Sequence, residues 1–398
     1  MSGARDDRPA TPVYLDYQAT TPTDPRVLDA MLPYFTRYFG NPHSSQHGAG
    51  RQSAEAVERA RAQVAELIGA TPREIVFTSG ATESNNIAIK GVARFHKGRG
   101  DHIVTVATEH KCVLESAARM KAEGYRVTTL PVQANGLVSL DRLADAIEEK
   151  TVLVSVMAAN NEIGIIQPLA EIGALCRERG VAFHTDAAQA VGKIPIDVEA
   201  MAIDLLSISG HKVYGPKGIG ALYVRRRPRM RLTAEMDGGG QERGMRSGTV
   251  PTPLCVGMGE AAAVAGEEMG REAPRLVAMR DRFLARLEAA LPAMALNGDR
   301  ERRLPGNLNV TFPGLDAETL MAEVDDLALA TGSACTSATV EPSYVLKALG
   351  ISDDLAAATI RVGFGRFTTE QDIDFAAEAI AAEVNRQRSN PSYRAPAA

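Results

Sequence analysis

Between about residues 71 and 224 the chain alternates short β-branched runs with longer stretches whose apolar residues recur at helical spacing. Segments 74–78, 102–106, 127–130, 152–157, 182–185, 205–209 and 220–224 read as strands. Segments 85–96, 111–123, 140–149 and 169–179 read as the helices between them. This alternation predicts an α/β fold: a mostly parallel sheet covered on both faces. From 253 to 291 breakers are sparse, which predicts a long helix running into a second, α+β unit with strands at 307–312 and 359–364. The expected division is a large domain at 14–265, a smaller α+β domain at 266–385 joined by residues 1–13, and a polar tail at 386–398.

Composition narrows the class. A chain of 398 residues is long enough for two domains. With 45% hydrophobic and 23% charged residues it has the balance of a globular protein. Forty-four basic against 49 acidic residues leave a formal charge of −5, which argues against a nucleic-acid partner needing a basic face. No apolar run approaches the roughly 18 residues of a spanning helix, and MSGARDDRPATP lacks the apolar centre of a signal peptide. The expected setting is cytoplasmic, without a membrane partner. Cys112, Cys176, Cys255 and Cys335 lie far apart with no CxxC pair, which fits neither a disulfide framework nor a zinc site.

Candidate chemistry collects where strands end, the place where open α/β sheets bind ligands. After the first strand, Thr78-Ser79-Gly80-Ala81-Thr82-Glu83-Ser84-Asn85-Asn86 opens a helix with small residues, suiting either a phosphate or an ordinary N-cap. His184-Thr185-Asp186-Ala187-Ala188-Gln189 ends a strand on an acid, which when buried must be paired or hydrogen-bonded. Alternation places His184 on the same face as Asp186, but no third metal ligand follows. Lys212, in Ser209-Gly210-His211-Lys212, sits just past a strand of buried character, the setting of a lysine nucleophile. Lys217 reads as exposed, and Lys90, Lys111 and Lys193 as solvated. Glu109-His110 and Asn160-Asn161-Glu162 follow two further strands. Gly238-Gly239-Gly240 with Arg246-Ser247-Gly248-Thr249 forms a loop able to reach an anion or a neighbouring subunit. Cys335 lies among small polar residues, so it is the thiol expected to be reactive, while the other three read as packing. Arg361 could fork onto a carboxylate or make a surface ion pair.

A phosphate cradle, an acid for a ring nitrogen, a lysine and a stacking histidine together suit pyridoxal phosphate. The runs YLDYQATTP, GNPHSSQHGAGR, EIVFTSGATESNN, TEHK, NNEIG, DAAQAVGKIPID, SGHKVYGPKGIGALYVRR, GGGQERGMRSGT, TGSACTSA and EPSYVLKALG resemble the group I cysteine desulfurases, the IscS/NifS family, and the likeness is closest to the IscS type. The resemblance implies the fold-type I architecture of PLP-dependent transferases (class V aminotransferase-like) and a homodimer. It also implies conversion of L-cysteine to L-alanine, with a persulfide left on the enzyme. By motif, Lys212 would attach pyridoxal 5'-phosphate and move the Cα proton. Asp186 would pair with the ring nitrogen, Gln189 would bond the phenolic oxygen, and His110 would stack on the ring and shuttle protons. Ala81, Thr82, Ser209 and His211 would hold the phosphate, with Thr249 supplied by the other subunit. Asn161, also at the cofactor, and Arg361 would fix the substrate carboxylate, and Cys335 would take the sulfur. Sulfur acceptors would include an iron–sulfur scaffold protein and, for tRNA thiolation, others. The end RSNPSYRAPAA differs from the longer IscS tail. A selenocysteine lyase or another class V transaminase is the alternative.

Overall fold

The computed structural model describes residue 9 and residues 12–331 and 342–389. Cys335 and most of the tail, 390–398, lie outside the described residues. The strands are β1 (Val13–Tyr14), β2 (Ile75–Thr78), β3 (His102–Val106), β4 (Arg126–Leu130), β5 (Thr151–Ser155), β6 (Ala182–Asp186), β7 (Leu205–Ser209), β8 (Gly220–Val224), β9 (Ala295–Leu296), β10 (Asn307–Thr311), β11 (Leu327–Ala328) and β12 (Thr359–Gly363).

Seven of them form one sheet in the order β2-β8-β7-β6-β5-β3-β4. Pairing is parallel from β4 through β7, and β8 runs antiparallel to both β7 and β2. The strands that lie inside this sheet are buried along their whole length, as parallel strands covered by helices on both faces must be. Edge strand β4 alone keeps exposed positions, and its sequence Arg-Val-Thr-Thr-Leu is accordingly more polar. Helices Ala81–Phe95, Lys111–Ala122, Leu140–Ala146 and Leu169–Arg179 fill the intervals the periodicity predicts. Helix Ala81–Phe95 begins four residues before the expected start at 85, because Gly80 serves as its N-cap.

The 39-residue helix Thr252–Ala290 ties two apolar cores together. Cys255, Met258 and Ala262 join the core that contains Phe77, Val154, Phe183 and Leu206. Phe283, Leu284 and Leu287 join a second core with Phe312, Ile360 and Ile380. β10 pairs antiparallel with β12 and β9 over that second core. Helix Gly48–Leu67, unread in the sequence, packs along the long helix: Gly259 approaches Ala60 so closely that a Cβ would stand 2.5 Å from its Cα. Among the described residues no helix is long and apolar enough to cross a membrane.

Candidate active site

A cavity of about 430 Å3 opens beyond the carboxyl ends of β2, β3, β5, β6 and β7. Its lining includes Ala81, Thr82, His110, Asn161, Asp186, Gln189, Ser209, His211, Lys212 and Arg361. Of the residues to which the family resemblance assigns a role, exposed Thr249 stands outside this lining and Cys335 falls outside the described residues.

The upper rim is the start of helix Ala81–Phe95. Its N-cap, Gly80, has φ 154° and offers no side chain to the first turn. Ser84 N–H is the first to reach back, to Gly80 O at 3.1 Å, so the N–H groups of Ala81, Thr82 and Glu83 have no acceptor within the helix. Oriented donors at a helix start attract an anion. A Cβ on Gly220 of β8 would lie 2.5 Å from Gly80 Cα, so this tight turn requires a glycine on the neighbouring strand.

The floor is acidic. Asp186 ends β6 and is 5% exposed. Its Oδ1 accepts from Ala188 N–H at 2.9 Å and its Oδ2 from Asn85 Nδ2 at 2.6 Å. Among the described residues no cationic side chain forms an ion pair with it. Glu109 lies close by and is fully buried. Its Oε1 accepts from Met157 N–H at 2.5 Å, while its Oε2 has no hydrogen-bond partner among the described residues. Burial, reinforced by the Asp186 charge, raises the Glu109 carboxyl well above the usual carboxylate range.

Lys212 sits in the 3-10 turn Gly210–Lys212 after β7, and its Nζ donates to the carbonyls of Gln18 and, at 2.7 Å, Ala19. Gln189 Nε2 donates to that same Gln18 carbonyl at 2.9 Å. His211 Nδ1 lies 3.0 Å from Thr20 Oγ1, and burial with the nearby lysines pushes its pKa down to about 4. Opposite, Arg361 of β12 donates through Nη2 to Asp16 at 2.7 Å and through Nη1 to Asn161 O at 2.9 Å. Its Nε is buried without a hydrogen-bond partner among the described residues. The surface ion pair entertained for Arg361 is ruled out: only 2% of the residue is exposed, because β1 and the segment after it fold over β12.

Residues 13–375 match the family model for class-V aminotransferases. The chain is 56% identical over 378 residues to "Cysteine desulfurase IscS" of Rickettsia rickettsii (strain Iowa), covering 95% of this chain and 92% of that one. It is 59% identical to "Cysteine desulfurase" of Pongo abelii, covering 95% of this chain and 82% of the relative. The chain belongs to the cysteine desulfurases. Among solved structures, a "NifS-like protein" at 35% identity superposes with a TM-score of 0.88, covering 94% of this chain and 99% of that one. The apo cysteine desulfurase of Thermococcus onnurineus NA1 follows at 25% identity and TM-score 0.84, covering 97% and 100%. The chain thus has the class-V, PLP-dependent architecture expected from its motifs.

Cysteine desulfurases of this fold use pyridoxal 5'-phosphate, and the cavity fits that group. Its volume suits a small ligand, and an uncapped helix start lies at one end for a phosphate. A buried carboxylate that forms no ion pair among the described residues lies at the floor for a protonated ring nitrogen, and a lysine stands at the wall for the aldehyde.

Two readings of this desulfurase's sequence are corrected. Lys193 is not freely solvated but half-buried. The turn after β6 folds back so that its Nζ donates to Gln189 Oε1 at 3.0 Å, and burial pushes its pKa down to about 7. Cys112 is not simply packed in a core: it lines the cavity, with Sγ 3.0 Å from His110 Nδ1 and 3.1 Å from Asn85 Nδ2. The His184 ring sits between Ser155 Oγ at 2.8 Å and Ser207 Oγ at 3.1 Å. Cys176 and Cys255 are buried as expected, and burial pushes the Cys176 thiol up to about 12. Sequence reasoning missed Asp16, Gln18 and Asn85 as parts of the site. Asp16 and Gln18 stand in the quoted run YLDYQATTP, but nothing local shows that it folds against a lysine and an arginine far along the chain.

Proposed function

We propose that this chain converts L-cysteine to L-alanine and leaves the sulfur as a persulfide on Cys335, for delivery to iron–sulfur cluster assembly. The observation that carries the reading is Asp186: a buried carboxylate without a cationic partner among the described residues, in a cavity that also holds Lys212. Such a charge is costly unless the site is completed by a cation, and a ring nitrogen held protonated there meets the requirement. When bound, pyridoxal phosphate supplies an electron sink for negative charge developing on the substrate. Asp186 keeps the ring nitrogen protonated, and the first-turn N–H groups with Ser209 and His211 hold the phosphate. Lys212 holds the cofactor and, once released to the Gln18 and Ala19 carbonyls, can take and return the Cα proton. Asn161 and Arg361, which line the cavity, orient the substrate carboxylate. His110 moves a proton at the ring edge. The thiolate of Cys335 attacks the substrate sulfur. The S–S bond forms as the C–S bond breaks, the electron pair stays with carbon, and protonation there gives alanine.

The same reading includes a homodimer. Thr249 is exposed outside the lining of its own cavity, consistent with service to a second subunit, and Leu28, Leu32, Phe35 and Phe39 leave apolar side chains exposed on and around the short helices Pro25–Met31 and Pro33–Thr36. The proposed division is 14–265 and 266–385, and the proposed acceptors are an iron–sulfur scaffold protein in the cytoplasm and tRNA-thiolation partners. The test is the absorption spectrum and sulfide release of purified protein. Lys212→Ala is expected to lose the visible cofactor band, and Cys335→Ala to keep the band and lose sulfide release from L-cysteine. Full sulfide release by Cys335→Ala would exclude the persulfide route.

A further inference from the structure

Gln189 is held from two sides. Its Nε2 gives one hydrogen to Gln18 O at 2.9 Å, and its Oε1 receives Lys193 Nζ at 3.0 Å. Rotating the amide by half a turn would set Oε1 against a carbonyl and Nε2 against an ammonium, so both contacts oppose it. Gln18 O alone is a weak anchor, because it also serves Lys212 Nζ. Lys193 does not line the cofactor cavity; it lines a separate crevice with Tyr17, Tyr214 and Glu272. Lys193 lies four positions after Gln189 in the same run of turns, within reach of the amide oxygen.

We infer that Lys193 is a positioning residue of the cofactor site, fixing the Gln189 amide so that its second Nε2 hydrogen points into the cavity at the ring oxygen of bound pyridoxal phosphate. The inference rests on the proposed function and deepens it. Lys193 touches neither cofactor nor substrate in this arrangement. It acts by denying the amide its other orientation and by placing positive charge one hydrogen bond behind the donor. Lys212 and Arg361 oppose that charge, Glu272 supports it, and burial weakens it most, which brings its pKa to about 7. A neutral Lys193 amine still donates to Oε1, so the orientation survives deprotonation while the charge does not.

A fixed donor and a nearby positive charge both favour the anion of the ring oxygen, so the holoenzyme gives up its exchangeable proton at lower pH with them than without. The experiment is a pH titration of the visible band of the holoenzyme. Lys193→Met is expected to raise the midpoint by about one unit, a tenfold change in proton affinity. Lys193→Arg, which restores a charged donor, is expected to return most of that shift. In a Gln189→Ala background, where only the through-space charge of Lys193 remains, Lys193→Met is expected to add less than half of that shift, which a role in folding alone would not produce. An unchanged midpoint in Lys193→Met overturns the inference, as does a shift of full size in the Gln189→Ala background. Thermal melts of both variants identify loss of folding. A wild-type protein that binds no pyridoxal phosphate overturns the proposed function and this inference together, whereas a coloured protein with a Lys193-independent midpoint overturns only the inference.

Discussion

The ring Nδ1 of His110 accepts the backbone N–H of Cys112 at 3.2 Å and lies 3.0 Å from the Sγ of that same residue. His110 is thereby the N-cap of helix Lys111–Ala122, and its side chain does the work that Ser or Asp does elsewhere. With Nδ1 committed as an acceptor, the neutral ring carries its proton on Nε2. His110→Ala is expected to lose the cap, at about 1 kcal/mol, and to lower kcat by about 10²–10⁴-fold through the lost proton carrier. Cys112→Ala keeps the main-chain N–H and is expected to stay within a few fold of wild type. Steady-state alanine formation and urea melts of the two variants measure both effects.

Asp186→Asn keeps the shape and the Ala188 contact but removes the charge. Breaking a buried ion pair costs about 3–5 kcal/mol, so cofactor affinity is expected to fall by at least about 100-fold. Equilibrium dialysis of pyridoxal phosphate against wild type and variant reads the difference directly. Equal affinities would exclude the role given to Asp186.

Arg61 and Glu242 form a buried bidentate pair at 2.7 and 2.8 Å, and Glu242 Oε2 also accepts from Phe77 N–H at 2.8 Å. This pair fastens the segment that leads to the loop of Thr249 onto β2. Glu242→Ala leaves a buried guanidinium and an unmet N–H, so a loss of about 3–5 kcal/mol in unfolding free energy is expected. Denaturant titration of the holoenzyme measures it.

His184 supplies a pH dependence of stability. Burial alone pushes its pKa down to about 3, from an unfolded value near 6.5. Below about pH 6.5 the unfolded chain takes up a proton that the folded chain refuses. The stabilisation is therefore complete above that pH and falls as pH drops toward 3, by about 1.4 kcal/mol per unit. His184→Gln is expected to flatten the slope of unfolding free energy between about pH 6 and pH 4, as followed by urea titrations across that range.

Much of the fold was legible because a buried parallel sheet writes itself as β-branched runs separated by amphipathic helices. The predicted strands recur within a residue or two, and β7 and β8 recur at their expected bounds. Short strands escaped: β1, β9 and β11 have two residues each, too few to show a period. The site was legible where a motif is contiguous, as from Ser209 to Lys212. It was illegible where function depends on chain segments meeting late. Cys112 and Lys193 looked ordinary because helical spacing and charge do not reveal which neighbour a side chain will find. Asp16 carried no signal for Arg361, since their ion pair joins residues 345 positions apart.

That separation sets an order of events during synthesis. One wall of the cavity is made by Asn161 and Arg361, and the carbonyls that hold Lys212 come from the segment after β1, which β11 and β12 fasten in place. Asp16 leaves the ribosome early and finds its partner only after nearly the whole chain has followed. A nascent polypeptide therefore has its sheet and its lysine long before it has an enclosed site. Capture of the cofactor belongs to the finished chain rather than to the growing one.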